Sequence, residues 1–200
     1  MPSPEKPQGI PDSPAQPPTA EPPVAPRTDL TTQAQRLTAP SGAVWPLLLL
    51  ILAANGAPLL LRQLCRNRWA APVDLGLRLA DGRRLFGATK TWRGIGVALV
   101  AGMALAPLLG LPPLLGLAAG GLAMAGDLLS SFAKRRLGLS PGSRARLLDT
   151  LPEALLPALA LMAPLNLTGM DVLLLVMLFT LVHSLASRLL YRLRLRRRPW

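Results

Sequence analysis

The chain has 200 residues, of which 50% are hydrophobic and only 16% are charged, and its formal net charge is +12. Soluble domains carry about 25% charged residues, so this composition excludes an ordinary water-soluble fold. Aromatic residues make up 4% and there is one cysteine, which argues against a base-stacking nucleic-acid platform and excludes an intramolecular disulfide or a cysteine-cluster zinc site. We therefore expect an all-α integral membrane protein with no nucleic-acid partner.

The first 43 residues differ from the rest of the chain. They hold 11 of the 22 prolines and few large apolar side chains. Such a composition cannot form a packed core, so residues 1–43 are predicted to be a disordered, proline-rich tail. The start "MPSPEKPQG" has no basic region followed by an apolar stretch, so it does not resemble a signal peptide.

Residues 44–191 alternate between apolar runs and polar, basic connections, and we predict a membrane domain here. About 20 apolar residues cross the hydrocarbon as a helix. We expect about five transmembrane helices, at 44–61, 95–111, 114–126 (with the helix continuing through 137), 151–165 and 172–191. The fourth contains Pro152, Pro157 and Pro164, so it should be kinked or should cross only in part. Gly116 and Gly120 form a GxxxG pair, which lets helices pack closely within one chain or in a homo-oligomer.

Positive charge is confined to three blocks. The segment 62–94 has eight Lys and Arg residues, 127–150 has five, and the end from Arg188 has six, whereas the N-terminal tail has three against four acids. With five spans all three basic blocks fall on one side, which the positive-inside rule makes cytoplasmic. We therefore predict two long basic cytoplasmic loops and a cytoplasmic basic tail at 192–200. The N-terminal tail is expected on the opposite, non-cytoplasmic side of the cytoplasmic (inner) membrane.

The first loop has the composition of a phosphate-binding segment. Glycines flank its charged groups, so the chain can turn tightly and direct backbone N–H groups at an anion. Lys90 and Arg93 come just before a helix expected to begin near Gly94, whose N-terminus would add partial positive charge. The same cations could instead serve only to set the topology. A Walker-type GxxxxGK[ST] motif is absent from the sequence.

The second loop begins on a predicted helix that covers 114–138. Asp127, Ser131 and Lys134 recur at spacings of four and three, so they share one helix face. Arg135 flanks this face, and Arg136 points elsewhere, towards lipid headgroups. A carboxylate at the membrane edge is costly unless it is paired or bound to a metal. Asp127 could therefore bind a metal ion, form a salt bridge with the first loop, or be solvated at the interface.

Further polar residues lie at the start of the fourth span and inside the bundle. Asp149 could cap that helix or be a second metal ligand, with Glu153 one turn later. Carboxylates on two helices facing a basic pocket suit Mg²⁺ with a polyphosphate. Asn55 could form an interhelical hydrogen bond or a wall of the site, with the first favoured. For His183 we favour a hydrogen bond within the bundle over a role as a ligand.

Four blocks in order carry a resemblance to a known family. They are "ANGAP" (54–58), "PVDLG" (72–76), "DGRRLFGATKTWRG" (81–94) and "GDLLSSFAKRRLG" (126–138). Together they resemble CDP-archaeol synthase, a family related to the phosphatidate cytidylyltransferases. The resemblance extends from about Val44 to Tyr191.

This resemblance implies a five-helix membrane transferase with a cytoplasmic, Mg²⁺-dependent CTP site. Such an enzyme transfers CMP from CTP to a membrane lipid phosphate, archaeol-phosphate-like or phosphatidate-like, and releases pyrophosphate in phospholipid biosynthesis. The resemblance implies that Asp127 binds the metal. It implies that the triphosphate is bound by Lys90, Arg93, Lys134 and Arg135. It also implies that Asp81 and Arg83 belong to the nucleotide loop and that Ser131 lies in the wall of the site.

The sequence departs from the family in one place. The family usually has two aspartates three apart at the start of the fourth helix, but here "DTLPE" (149–153) has Asp149 followed by Pro152. Glu153 is adjacent and could substitute as a metal ligand. The alternative is a non-catalytic membrane protein that binds lipid or acts as a scaffold after losing the metal site. A small transporter that uses Asn55 and His183 is a further alternative.

Overall fold

A computed structural model describes residues 42–65, 70–139 and 146–192. Within these ranges the chain forms five α-helices: α1 (Val44–Cys65), α2 (Trp92–Leu105), α3 (Pro113–Arg136), α4 (Arg146–Ala160) and α5 (Gly169–Arg192). The only β pairing in the described ranges is two isolated bridges between α1 and α2. The all-α prediction is therefore confirmed. The predicted tails at 1–43 and 192–200 lie, except for their innermost residues, outside the described ranges.

Four of the described helices are long and apolar enough to cross a membrane. They are α1, α2 with the short 3₁₀ helix that follows it (Trp92–Leu109), α3, and α5 over Gly169–Leu189. Their positions agree with four of the predicted spans to within a few residues. The outward leucines of these helices are exposed, as expected of side chains that face lipid. The protein is a multi-pass membrane protein.

The fourth helix lies five residues before the predicted span 151–165. Helix α4 has 15 residues, a length of about 22 Å against about 30 Å of hydrocarbon. It begins at Arg146, contains Pro152 and Pro157, and gives way to turns over 161–166. Pro164 has no N–H to donate to the carbonyl of Ala160, so a helix that continued past Ala160 would lose a backbone hydrogen bond there. Helix α4 alone is therefore too short to cross the hydrocarbon, in agreement with the predicted partial crossing, and the chain continues to α5 through turns.

Helices α2 and α3 touch through glycine. A Cβ atom on Gly116 would lie 2.1 Å from the carbonyl oxygen of Gly102, and one on Gly120 would lie 2.8 Å from that of Ala98. Lipid tails are as apolar as leucine, so close backbone packing rather than the hydrophobic effect holds such helices together. The predicted GxxxG pair therefore packs within the chain, where it is buried and is not available to a second copy.

A second close approach joins α3 to α4. A Cβ atom on Gly126 would lie 2.2 Å from the carbonyl oxygen of Pro152 and 2.7 Å from the Cα atom of Glu153. Only glycine permits this contact between the two backbones. Since Asp127 follows Gly126 directly, the contact brings the acidic residues of the two helices together.

Candidate active site

A cavity of about 380 Å³ lies at the end of the bundle where the two basic loops meet. Six residues predicted from the sequence line it: Lys90, Arg93, Asp127, Lys134, Asp149 and Glu153. They come from the start of α2, the last turns of α3 and the first turns of α4. We call this space the carboxylate cavity. A common site required Asp127 to lie near Asp149 and Lys90 to lie near Lys134. All four residues line this cavity.

The N-terminus of α2 forms one edge of the carboxylate cavity. The helix begins at Trp92, two residues before the predicted start, because Thr91 is its N-cap and accepts a hydrogen bond from the N–H of Gly94 at 3.2 Å. Arg93 thus lies in the first helical turn. The partial positive charge of a helix N-terminus adds to the two cations that line this edge.

Lys90 and Asp127 form an ion pair between the first loop and α3. The ammonium group of Lys90 donates to both carboxylate oxygens of Asp127 at 2.5 Å. Both side chains are about four-fifths shielded from solvent. Three alternatives were open for Asp127: metal binding, a salt bridge with the first loop, or solvation. The structure shows the salt bridge. A carboxylate paired only with one lysine can still exchange that partner for another cation.

Lys134 and Asp149 form the corresponding pair between α3 and α4. Lys134 lies on the same face of α3 as Asp127, as the spacing predicts. Asp149 is inside the first turn of α4, three residues after its start at Arg146. The suggestion that Asp149 caps this helix is therefore wrong. Its carboxylate lies against the Lys134 ammonium group in the cavity.

Glu153 is the most buried of the three carboxylates, with 5% of its surface exposed. Its Oε2 atom has no hydrogen-bond partner, and its carboxyl group lies beside that of Asp127. Adjacent carboxyl groups repel each other when ionised, so this pair requires either a shared proton or a cation. Among the described residues, no three histidine, cysteine or acidic side chains are gathered into a metal-binding group.

Asp74 organises the first loop. Its buried carboxylate pairs with Arg84 at 2.5 Å and accepts hydrogen bonds from the backbone N–H groups of Gly76, Phe86 and Gly87. Burial alone would raise the pKa of Asp74, but the Arg84 guanidinium and the three N–H donors outweigh it and hold the pKa well below its ordinary value. Sequence reasoning noted this aspartate only as part of a glycine-flanked segment. Its spacing to Gly76 is that of an Asx turn.

Arg136 fixes the loop to the end of α3. It pairs with Asp81 at 2.7 Å, donates to the carbonyl oxygens of Arg83 and Arg84, and lies 5.3 Å from the centre of the Phe132 ring. The prediction that Arg136 points towards lipid headgroups is therefore wrong. The N–H of Arg83 and the Arg136 guanidinium lower the pKa of Asp81. Asp81 does not line the carboxylate cavity.

Arg83 and Arg135 lie in a neighbouring cavity of about 530 Å³ that we call the arginine cavity. Its charged lining consists of Arg78, Arg83, Arg84 and Arg135, and it shares Ala88 and Thr89 with the carboxylate cavity. Arg83 donates to the carbonyl oxygens of Arg135 and Arg136 and so caps the C-terminus of α3. Two residues that the resemblance assigns to the nucleotide therefore adjoin the carboxylate cavity without lining it.

The guanidinium of Arg83 rests over Gly138, which ends α3. This glycine has a φ of +72°, and a Cβ atom there would lie 2.9 Å from two guanidinium nitrogens. The backbone conformation therefore favours glycine at this position, and a larger residue would also displace the Arg83 side chain.

Ser131 is buried in the packing of α3, with 2% of its surface exposed, and lines neither of these two cavities. Its place in the wall of the site stays a prediction. The neighbouring Ser130 donates to the backbone carbonyl of Asp127 at 2.9 Å. Residues four apart on a helix point in neighbouring and not identical directions, so packing against α4 determines which of them faces the cavity.

Helices α1 and α5 supply a further wall that sequence reasoning named only in part. Asn55 lines the carboxylate cavity and donates to the carbonyl of Ile51 in its own helix, so its side chain is a wall of the site rather than a bond between helices. His183 also lines the cavity and lies 5.6 Å from the Phe179 ring. Arg62, Ser184 and Ser187 were missed. The spacing of Asn55 and Arg62, seven residues on an α-helix, could have identified the α1 face.

Comparisons with known proteins identify a family to which the chain is similar. The profile of the family described as CarS-like, CDP-archaeol synthase, matches residues 65–119 and 113–200. A CDP-archaeol synthase of Pyrobaculum arsenaticum is 34% identical over 162 residues, which are 78% of this chain and 94% of that protein. One from Hyperthermus butylicus is 41% identical over 106 residues, which are 50% of this chain and 60% of that protein.

A solved structure of an intramembrane enzyme for archaeal membrane lipids biosynthesis is also similar. It is 33% identical, with a TM-score of 0.58 over 71% of this chain and 90% of the solved chain. The family profile covers more than half of the chain, and a relative of more than 30% identity is matched over nearly its whole length. This chain belongs to the CDP-archaeol synthase family.

Proposed function

We propose that the protein is a CTP-dependent cytidylyltransferase that transfers CMP from CTP to a lipid phosphate, with release of pyrophosphate, in phospholipid biosynthesis. The observation that carries this proposal is the convergence of three carboxylates and two lysines on one cavity at the end of a membrane bundle. Carboxylates from two helices suit a hard divalent cation, and lysines suit the phosphates of a nucleotide. Membership of the family supports the same reaction.

Mg²⁺ is the proposed cofactor, with Asp127, Asp149 and Glu153 as its ligands. The unpartnered Oε2 atom of Glu153 and the adjacent Asp127 carboxyl group fit a cation. The three acids are not gathered into a metal-binding group by themselves, but Mg²⁺ in nucleotide enzymes is typically held by one or two carboxylates together with substrate phosphates. Pro152 stands where the family usually has a second aspartate. Glu153, the next residue, supplies a carboxylate in its place. When bound, the ion would neutralise phosphate charge and stabilise the leaving pyrophosphate.

In this proposal Lys90 and Lys134 each pair first with a carboxylate and then with the phosphates of the nucleotide. Without nucleotide they neutralise Asp127 and Asp149. When a triphosphate enters, its oxygens compete for the ammonium groups, and the carboxylates become available to a metal ion. The two lysines then hold the phosphates beside Arg93 and the N-terminus of α2. Fixed cations at this position stabilise the charge that grows on the leaving group.

The acceptor needs little chemical activation. An oxygen of the lipid phosphate attacks the α-phosphorus of CTP, and the bond from this phosphorus to the oxygen that bridges to the β-phosphate breaks. A phosphate monoester is already an anion near neutral pH, so no general base has to remove a proton from it. The main barrier is repulsion between two anions, and the side chains of Lys90, Arg93 and Lys134 lower it.

We place the reaction at the cytoplasmic face of the cell membrane. The carboxylate cavity and both basic loops are at one end of the bundle, and the positive-inside rule makes that end cytoplasmic. CTP then arrives from the cytoplasm and the lipid from the bilayer. The C-terminus lies on the same side and the N-terminal tail on the other. The acceptor is an archaeol-phosphate-like or phosphatidate-like lipid, and the names of the relatives favour the first.

The test is direct. Purified protein is incubated with labelled CTP, Mg²⁺ and a panel of ether-linked and ester-linked lipid phosphates, and the lipid products are separated. We expect a CDP-lipid with at least one acceptor and none without Mg²⁺. Failure to form a CDP-lipid with any acceptor would overturn the proposal. The Asp127→Asn variant is the negative control, and Asp81→Asn, which changes an acid outside the carboxylate cavity, is the matched positive control.

A non-catalytic relative is the second candidate. It is favoured by Pro152, which replaces the usual second aspartate, and by the ion pairs that already neutralise Asp127 and Asp149. Thermal unfolding with Mg²⁺ and CTP separates the two functions. A cytidylyltransferase is stabilised by nucleotide and metal together, whereas a lipid-binding scaffold is stabilised by lipid phosphate and does not respond to CTP.

A further inference from the structure

The lining of the carboxylate cavity is divided by charge. All three of its acidic residues belong to α3 and α4. Among the described residues, those that α1 and α5 contribute include no acid: Asn55, Pro58, Leu59, Arg62, His183, Ser184 and Ser187. One part of the wall thus presents carboxylates with lysines, and the other presents hydroxyl, amide, imidazole and guanidinium groups among apolar side chains.

The α1 part of this wall is a regular helix face. Asn55, Leu59 and Arg62 are spaced by four and three residues, so they lie above one another along one side of α1. Arg62 is in the last helical turn, at the end of a 22-residue apolar helix. A cation at that position lies at the level of lipid headgroups. Leu59 and Pro58 place apolar surface directly on the bilayer side of it.

The α5 part completes the wall with neutral polar groups. His183 and Ser187 lie four residues apart, and Ser184 lies beside them on the same helix face. Both helices also expose apolar residues outwards, including Leu60 and Leu64 on α1. The outer faces of both helices are therefore suited to contact with lipid.

The two substrates of the proposed reaction differ in the partners they need. A triphosphate carries a divalent cation, and it suits the part of the cavity where carboxylates accompany lysines. A lipid phosphate brings no metal of its own, so carboxylates would repel it. It requires a cation on a part of the wall without acids, donors for the oxygens of its glycerol backbone, and apolar surface for its chains. The wall from α1 and α5 has these features.

We propose that Arg62, together with the polar face of α5, binds the phosphate of the lipid acceptor. This inference rests on the proposed cytidylyltransferase function and extends it to the second substrate. The guanidinium group of Arg62 pairs with the phosphate oxygens, and Ser184 and Ser187 lie towards the glycerol oxygens. The acceptor oxygen thereby faces the nucleotide held by Lys90 and Lys134 across the same cavity.

The experiment measures initial rates of CDP-lipid formation in detergent for the wild type and Arg62→Gln, with lipid phosphate and CTP varied separately. We expect the KM for lipid phosphate to rise about tenfold to a hundredfold in Arg62→Gln. The KM for CTP and the inhibition constant for inorganic pyrophosphate should not change. Arg62→Lys should restore part of the lipid affinity, because it keeps the charge and loses only the bidentate contact.

Arg188→Gln is the matched control, since Arg188 is an exposed arginine on α5 outside the cavity lining. Arg188→Gln should leave both KM values unchanged, because the inference depends on the position of the Arg62 charge and not on the overall surface potential. An unchanged lipid KM in Arg62→Gln would overturn the inference while leaving the proposed function intact. So would a joint rise in the CTP KM and the pyrophosphate constant, which would place Arg62 with the nucleotide. Wild-type protein that forms no CDP-lipid would overturn both.

Discussion

The first loop and the carboxylate cavity both contain pairs of acids and bases, but the pairs differ in how completely they are satisfied. In the loop, Asp74 has an arginine and three backbone N–H partners, and Arg136 reaches Asp81 and two carbonyl oxygens. In the cavity, Asp127 and Asp149 each have one lysine, and Glu153 has an unpartnered oxygen. Pairs with many fixed partners hold a structure, whereas pairs with one flexible partner can exchange it for a ligand.

The largest effect should follow from changing a carboxylate in the cavity. We expect Asp127→Asn or Asp149→Asn to lower the rate of CDP-lipid formation at least about a hundredfold, because a neutral amide binds Mg²⁺ poorly and the phosphate charge is then not compensated. Initial rates at saturating CTP and Mg²⁺ measure this effect. If either variant kept activity comparable to wild type, that carboxylate would not belong to the metal site.

The next effect concerns the contact that brings the acids together. Gly126→Ala should destabilise the protein by about 1–3 kcal/mol and lower activity, since its Cβ would lie 2.2 Å from the Pro152 oxygen and push Glu153 away from Asp127. Thermal unfolding in detergent and initial rates are the measurements. Gly121→Ala on the same helix is the control, because its Cβ meets only Leu99 at 3.4 Å. Equal behaviour of the two variants would contradict the account of α3–α4 packing.

A smaller effect concerns the loop and its response to acid. The native pKa of Asp74 lies below its ordinary value of 3.8, so the folded state binds this proton less readily than the unfolded state. The stabilisation is therefore fully present above about pH 4 and is lost as the pH falls below that value. We expect the melting temperature of the wild type to fall more steeply on acidification than that of Asp74→Asn. Parallel curves for the two proteins would show that Asp74 does not organise the loop.

The smallest effect is expected at Asp81. Its ion pair with Arg136 is exposed, and pairs of this kind contribute little to stability. Asp81→Asn should therefore leave both the melting temperature and the KM for CTP unchanged within error. This result would separate Asp81 from the nucleotide site that the family resemblance implies. A clear rise in the CTP KM would return Asp81 to that site.

Much of the fold follows from the sequence because lipid imposes a simple pattern. Long apolar runs predicted α1, α3 and α5 to within a few residues, and the start of α2, predicted near Gly94, lies at Trp92. The position of α4 was predicted five residues too late, at 151–165 instead of 146–160. The apolar run extends to 165, but a helix through Pro164 would lose a backbone hydrogen bond that hydropathy does not report.

The site was predictable where residues share one helix and less so where helices meet. The spacing of Asp127 and Lys134 identified a common face of α3. The choice of partners depended on a tertiary contact, at Gly126, that no single-helix pattern contains. The same limitation explains why the direction of Arg136 was predicted wrongly as outward. Its partner Asp81 is 55 residues away in the chain, so the helix pattern alone does not reveal the contact.

The most direct test of the central claim, that the cavity pairs are exchangeable, is the affinity for CTP with and without Mg²⁺, measured by calorimetry in detergent. We predict that CTP binds at least about tenfold more tightly with Mg²⁺, since the ion would replace Lys90 at Asp127 and release it to the phosphates. We also predict that Asp127→Asn removes this difference. Equal CTP affinity with and without Mg²⁺ in the wild type would contradict the account.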